Sequence, residues 1–163
     1  MIRDLIAYPD PVLLSPARLI SFEPVSDSAN YIEMSPGGVA DLIIDLIDTV
    51  GAVPWGRAVG LAAPQIGRPV ALFVALGEAF INPRIVKHSS VVRNSVEHCY
   101  SMKEGESFRV ERYRFIDLQW FDGKLKHQKR RFHRFDAQVI QHEYDHLLGL
   151  PCSAFPCRSY IVQ

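Results

Sequence analysis

The chain has 163 residues, 48% of them hydrophobic and 22% charged, and its 18 basic and 18 acidic side chains cancel at pH 7. That length makes one domain, residues 1–163, able to bury roughly two thirds of its unfolded surface, and the balanced charge excludes a protein held to nucleic acid by charge alone. Three cysteines without regular spacing argue for reduced thiols in a cytoplasmic or otherwise intracellular setting, with no apolar run of roughly 18 residues to span a membrane and no signal or transit pattern at the N-terminus.

In chain order, residues 2 to about 24 are Pro-interrupted and partly apolar, which predicts an extended arm laid over the domain. Residues 27–34 read as a loop. The spacing of Val39, Leu42, Ile43, Leu46, Ile47 and Val50 then predicts an amphipathic helix, capped by Ser35, opened by Pro36 and closed by Gly51. Asp41, Asp45 and Asp48 fall on its opposite side. From Gly51 to Pro69 the glycines and prolines predict a loop, and residues 70–76 read as a core strand.

Residues 80–86 predict a second strand, interrupted at Pro83, and residues 91–96 lead into Glu97-His98-Cys99-Tyr100-Ser101. Residues 108–120 alternate, then turn at Asp122-Gly123 into residues 124–133, a hairpin signal. The basic run at residues 124–131 is expected on the solvated face of that hairpin, with nucleic acid a poor second. The order of one helix, mostly antiparallel strands and a last helix gives an α+β fold.

That last helix carries the clearest chemistry. Asp136 is its candidate N-cap, Phe135 and Ile140 a candidate staple pair, and Gly149 with Pro151 its stop. Val139, Ile140, Tyr144 and Leu147 make an apolar stripe that carries the neighbouring histidines inward. His142 and His146 stand at i and i+4, so their imidazoles can converge on one metal ion, and Glu143 can reach a water there. A catalytic metal usually takes three protein ligands. Spacing leaves the third open among Cys99, His98, His127, His133 and the carboxylates; Cys152 and Cys157 read as packing residues.

Three blocks, in order, resemble the peptide deformylases: Gly60-Leu61-Ala62-Ala63-Pro64-Gln65, Glu97-His98-Cys99-Tyr100-Ser101 and Gln141-His142-Glu143-Tyr144-Asp145-His146. Ile81-Asn82-Pro83 and Val110-Glu111-Arg112 match lesser landmarks. The resemblance implies removal of the N-formyl group from formylmethionine at the start of nascent peptides. It implies Cys99, His142 and His146 as ligands of one divalent metal, with Fe(II) favoured over Zn(II), Ni(II) or Co(II). Glu143 would move the proton of the attacking water to the leaving amine. The Gln65 side chain and the Tyr100 backbone N–H would face the oxyanion, and Gly60 would let a peptide approach as a β-partner. Val59, Phe135 and Val139 would form the methionine pocket, and Arg112 and Asp145 a buried ion pair bracing the helix.

Some positions depart from the family pattern. His98 stands where the family has Gly, a substitution costing about 1 kcal/mol if φ there is positive. Tyr100 replaces a smaller residue, Ala58 a frequent Gly, and Gln138 makes one pocket wall more polar. Residues 149–155 lack the usual apolar strand ending in Asp, and the C-terminal helix that longer bacterial members associate with ribosome docking is absent, which puts docking by that route in doubt. A formylated peptide is the expected partner, without nucleic acid or membrane. Two other readings remain open at this point: a hydrolase of other N-acyl peptides, from Tyr100 and Gln138, and a non-catalytic binding module, from His98 and the short tail.

Overall fold

The computed structural model describes residues 1–53, 59–104 and 106–150. In chain order the elements are β1 (Leu19–Ser21), β2 (Tyr31–Glu33), α1 (Pro36–Ala52), β3 (Gly60–Ala62), β4 (Leu72–Ala75), β5 (Glu78–His88), β6 (Val92–Glu97), β7 (Phe108–Tyr113), β8 (Phe115–Phe121), β9 (His127–His133) and α2 (Arg134–Leu147). The frame is a five-stranded antiparallel sheet in the order β3-β4-β5-β8-β9, accompanied by the ribbons β1-β2, which is parallel, and β6-β7. Each face of the large sheet has its own core. Val39, Leu42 and Leu46 of α1 pack with Leu61, Leu72, Val74 and Ile81, whereas Ala137, Val139, Ile140 and Leu147 of α2 pack with Phe73, Phe80, Leu118, Trp120 and Phe132. β4 is therefore covered on both faces, which is why its sequence is an unbroken apolar run. Among the described residues no helix is long and apolar enough to cross a membrane.

The arm and α1 follow the sequence reading in outline. The arm is stitched to distant segments, with Ile6 N–H donating to Gln65 O (2.8 Å), Tyr8 N–H to Ser101 O (2.7 Å) and Ala17 N–H to Leu147 O (2.8 Å). Ser35 caps α1 by accepting from Gly38 N–H at 3.0 Å. Two α1 residues are reversed, however: Ile47 is 53% exposed and Asp45 only 8% exposed. The arm explains Asp45, because Arg3 Nε donates to its carboxylate at 2.8 Å. Helical periodicity cannot register a cation delivered from another segment. The helix also continues past Gly51 to Ala52.

Other boundaries shift for reasons of long-range pairing. The predicted loop 27–34 contains β2, and the predicted loop after Gly51 contains β3 and a 3-10 turn, Ala63–Ile66, ended by Gly67 at φ 74°. β5 runs through Pro83 because a register shift lies between Ile81 and Arg84. Asn82, at φ 48°, fills the gap: its side-chain amide accepts from Ile20 N–H and donates to Ile20 O, both at 2.8 Å. The alternating run 108–120 divides at Arg114, so that β7 pairs with β6 while β8 joins the large sheet. In the β8-β9 hairpin the left-handed residue is Leu125 (φ 58°), and Asp122 Oδ1 accepts from the N–H groups of Lys124 and Lys126. The basic run lies exposed along the turn and the edge strand β9, where charge discourages pairing with another sheet.

α2 begins earlier than predicted. His133 is its N-cap, Arg134 enters at φ 51°, and Asp136 lies in the first turn rather than at the cap. Phe135 is 55% exposed while Ile140 is fully buried, so the expected staple does not form. Arg134 N–H still donates to Arg114 O (3.2 Å), so sheet pairing carries into the helix start and displaces the cap by three residues. The stop is where expected: Gly149 adopts φ 68°, and a Cβ there would come within 2.7 Å of the Ser15 backbone. Pro151, Cys152 and Cys157 lie outside the described residues.

Candidate active site

β6 delivers Cys99 two residues beyond its end, and α2 presents His142 and His146 on one face. One ligand atom from each of Cys99, His142 and His146 lies within 4.8 Å of the others. Cys99 Sγ is 3.3 Å from His146 Nε2. His142 Nδ1 is held by Glu97 Oε2 at 2.8 Å, which places the proton on Nδ1 and leaves Nε2 to face the site. A metal bound at about 2.3 Å from sulfur and about 2.0 Å from nitrogen would hold such atoms roughly 3.5 Å apart, so this soft, buried donor set fits a single ion. Among the described residues this is the group that meets; His98 and His133 are exposed, and His127 sits on β9.

A buried polar network braces the ligands. Arg112 donates to Glu97 through Nε (2.8 Å) and Nη2 (2.7 Å), and through Nη1 to Asp145. All three side chains are at most 5% exposed. The expected Arg112–Asp145 pair is thus present, but with Glu97 as a third member to which the sequence reading gave no role. Burial alone pushes the Glu97 carboxyl up; the bonds from Arg112 and His142 outweigh it and hold the group at about 2. The signal that marks Glu97 is its place two residues before Cys99, on the same face of an extended segment.

Glu143 is 4% exposed and lies against Gly60, where a Cβ would stand 2.5 Å from Glu143 Oε1. The absence of a side chain at residue 60 is what gives this carboxylate its place. The Gln65 amide is oriented by Ala62, whose N–H donates to Gln65 Oε1 at 2.9 Å. Its Nε2 consequently points to Cys99 Sγ (3.6 Å) and Ser101 Oγ (3.2 Å), making Ser101 a further contact that sequence reasoning missed. Tyr100 is half-buried, and burial, with Cys99 and Glu143 nearby, pushes its phenol up.

The residues expected to form the methionine pocket stand next to β3 (Val59) and on α2 (Phe135 and Val139). Val59 is 41% exposed beside β3, Val139 belongs to the α2 core, and Phe135 lines an open hollow of about 650 Å³ with Arg114, His133, Arg134 and Asp136. Gln138 is half-buried. Among the described residues the non-glycine positions with positive φ are Leu76, Asn82, Leu125 and Arg134, so His98 carries no left-handed strain. Ala58 lies outside the described residues.

The polypeptide deformylase family model matches residues 2–154. The peptide deformylase of Pseudothermotoga lettingae is 32% identical over 136 residues, covering 82% of this chain and 77% of that one. That of Chlorobaculum parvum is 32% identical over 160 residues, covering 91% and 76%. The crystal structure of peptide deformylase from Thermotoga maritima aligns with a TM-score of 0.77 at 26% identity, over 93% of this chain and 95% of that one. With a family match along nearly its whole length and the same fold, the chain belongs to the polypeptide deformylase family.

Proposed function

We propose that this chain is a metal-dependent hydrolase that removes the formyl group from the N-terminal formylmethionine of nascent peptides, acting as one domain. The observation that carries the proposal is the meeting of Cys99, His142 and His146 beside the buried carboxylate of Glu143. Cys99, His142 and His146 would hold the ion, with Fe(II) the favoured metal. A divalent cation so placed polarises a carbonyl oxygen and acidifies a water.

The remaining chemistry falls to the protein's own groups. Glu143 takes a proton from the attacking water and returns it to the leaving amine, one residue working as base and then acid. Gln65 Nε2, whose other end is fixed by Ala62, and the Tyr100 N–H stabilise the developing oxyanion, each worth about 3 kcal/mol. The edge of β3 that no described strand covers accepts the peptide backbone as an added strand, with Val59, Phe135 and Val139 around the methionine side chain.

Formate release from a formyl-Met peptide by anaerobically Fe(II)-loaded protein tests this reading. Release should be abolished by chelation, restored by Fe(II), and faster than acetate release from the acetyl counterpart; absence of formate, or equal turnover of the acetyl peptide, refutes it. A second expected outcome concerns residue 60. Gly60→Ala must displace the Glu143 carboxylate, and a shift of about 1 Å should lower kcat by about 10²-fold. A Gly60→Ala enzyme with the parental kcat would show that Glu143 is not held in a rate-determining position.

A further inference from the structure

The three expected ligands come from two structural bodies. His142 and His146 belong to α2, which is packed on the large sheet, whereas Cys99 follows the separate ribbon β6-β7. The distance from sulfur to imidazole therefore depends on how the ribbon sits on α2. Polar contacts join them. Arg112–Asp145 and Glu97–His142 are side-chain pairs. Gln141 instead holds the ribbon's backbone: its Oε1 accepts from Tyr113 N–H at 2.9 Å while Nε2 donates to Tyr113 O at 3.0 Å and to Ala137 O at 2.8 Å.

We propose that Gln141 is a positioning residue that fixes the rotation of the β6-β7 ribbon on α2 and so sets Cys99 against His142 and His146. The proposal rests on the reading that these three residues hold the metal. Gln141 and Asp145 stand at i and i+4, one row along α2, and His142 and His146 form the next row. Attachments through the side chains of Arg112 and Glu97 leave the ribbon backbone free to tilt about them. A bond to the backbone itself, one turn away from Asp145, removes that freedom. Gln141 does so stringently, because it pairs with both the N–H and the C=O of one residue and thereby fixes the orientation of the strand end itself.

The surroundings fit this role. Gln141 is 1% exposed, and its two N–H donors and its carbonyl are all in use. An apolar side chain there would fill the space yet leave Tyr113 N–H and C=O without these partners. A buried amide used only to stabilise α2 could be satisfied within the helix, as the bond to Ala137 O already is. The two bonds to Tyr113 act between bodies, and their loss is felt at the far end of the ribbon, where Cys99 lies.

The test uses Co(II)-substituted full-length protein and its Gln141→Leu and Gln141→Glu variants, with Co(II) affinity and the thiolate-to-Co(II) charge-transfer band as readouts. Gln141→Leu should retain cooperative unfolding but bind Co(II) about 10–100-fold more weakly, with a weakened or shifted band. Gln141→Glu keeps the acceptor for Tyr113 N–H and loses both donors; it should fall between, and it decides the matter should the leucine variant fail to fold. A folded variant of either kind with parental Co(II) affinity and band overturns the proposal, whatever its unfolding midpoint. Parental protein lacking the band would instead remove the metal-site reading on which the proposal stands.

Discussion

Replacing Arg112 by methionine should destabilise the protein by about 3–5 kcal/mol, the largest effect on stability expected of any single change in the network. Methionine fills comparable space, so the loss is electrostatic: Glu97 and Asp145, 5% and 1% exposed, would remain buried without their shared guanidinium. Lysine should not rescue it, because one ammonium cannot reproduce the paired bonds from Nε and Nη2 to Glu97 together with that from Nη1 to Asp145. Urea unfolding at neutral pH measures the loss; a change below about 1 kcal/mol would contradict it.

The same network predicts an acid limb. The Glu97 carboxyl is held at about 2 when folded, below its ordinary 4.5, so the folded state binds fewer protons in that interval. Its stabilisation, on the order of 3 kcal/mol, is present above 4.5 and is lost as pH falls toward 2. Arg112→Met should flatten that limb as well as lower the plateau.

Glu143→Gln should reduce formate release by about 10²–10⁴-fold, the range commonly associated with a positioned acid–base group. The amide nearly matches the carboxylate in shape, so it fits the space left by Gly60, and it cannot accept the proton. Because Glu143 is outside the Cys99, His142 and His146 group, metal content should stay near parental. Retention of more than about a tenth of the parental rate would assign the proton transfer to another group. Loss of metal together with rate would make Glu143 a support of the ligands instead.

What the sequence discloses depends on the range of the interaction that determines each feature. α1, α2 and the β8-β9 hairpin are legible because their apolar spacing and turn residues are local signals. β2 and β3 are three residues each and owe their existence to partners elsewhere in the chain. The division of residues 108–120 is invisible because alternation records burial on one face, not which sheet a strand joins. Within the site, the i, i+4 histidines are readable from spacing, but Cys99 is selected only by resemblance. The role of Glu97 depends on Arg112, and that of Asp45 on the arm; neither contact has a local sequence signature. Asp136 has the residue type of a cap but stands in the first turn, because Arg114 pairing with Arg134 displaces the helix start.

The stitching of the arm also sets a schedule for biosynthesis. Three of its backbone bonds go to Gln65, Ser101 and Leu147, one in or beside each of the three site-bearing segments, and Ala17 has to wait for Leu147. The arm thus completes its packing only after the last turn of α2 has been made. Such non-local closure slows folding and delays a finished site until α2 has been made. An enzyme assembled in this order is silent until α2 has been made, and a nascent fragment ending before α2 carries the cysteine without either of the histidines that meet it.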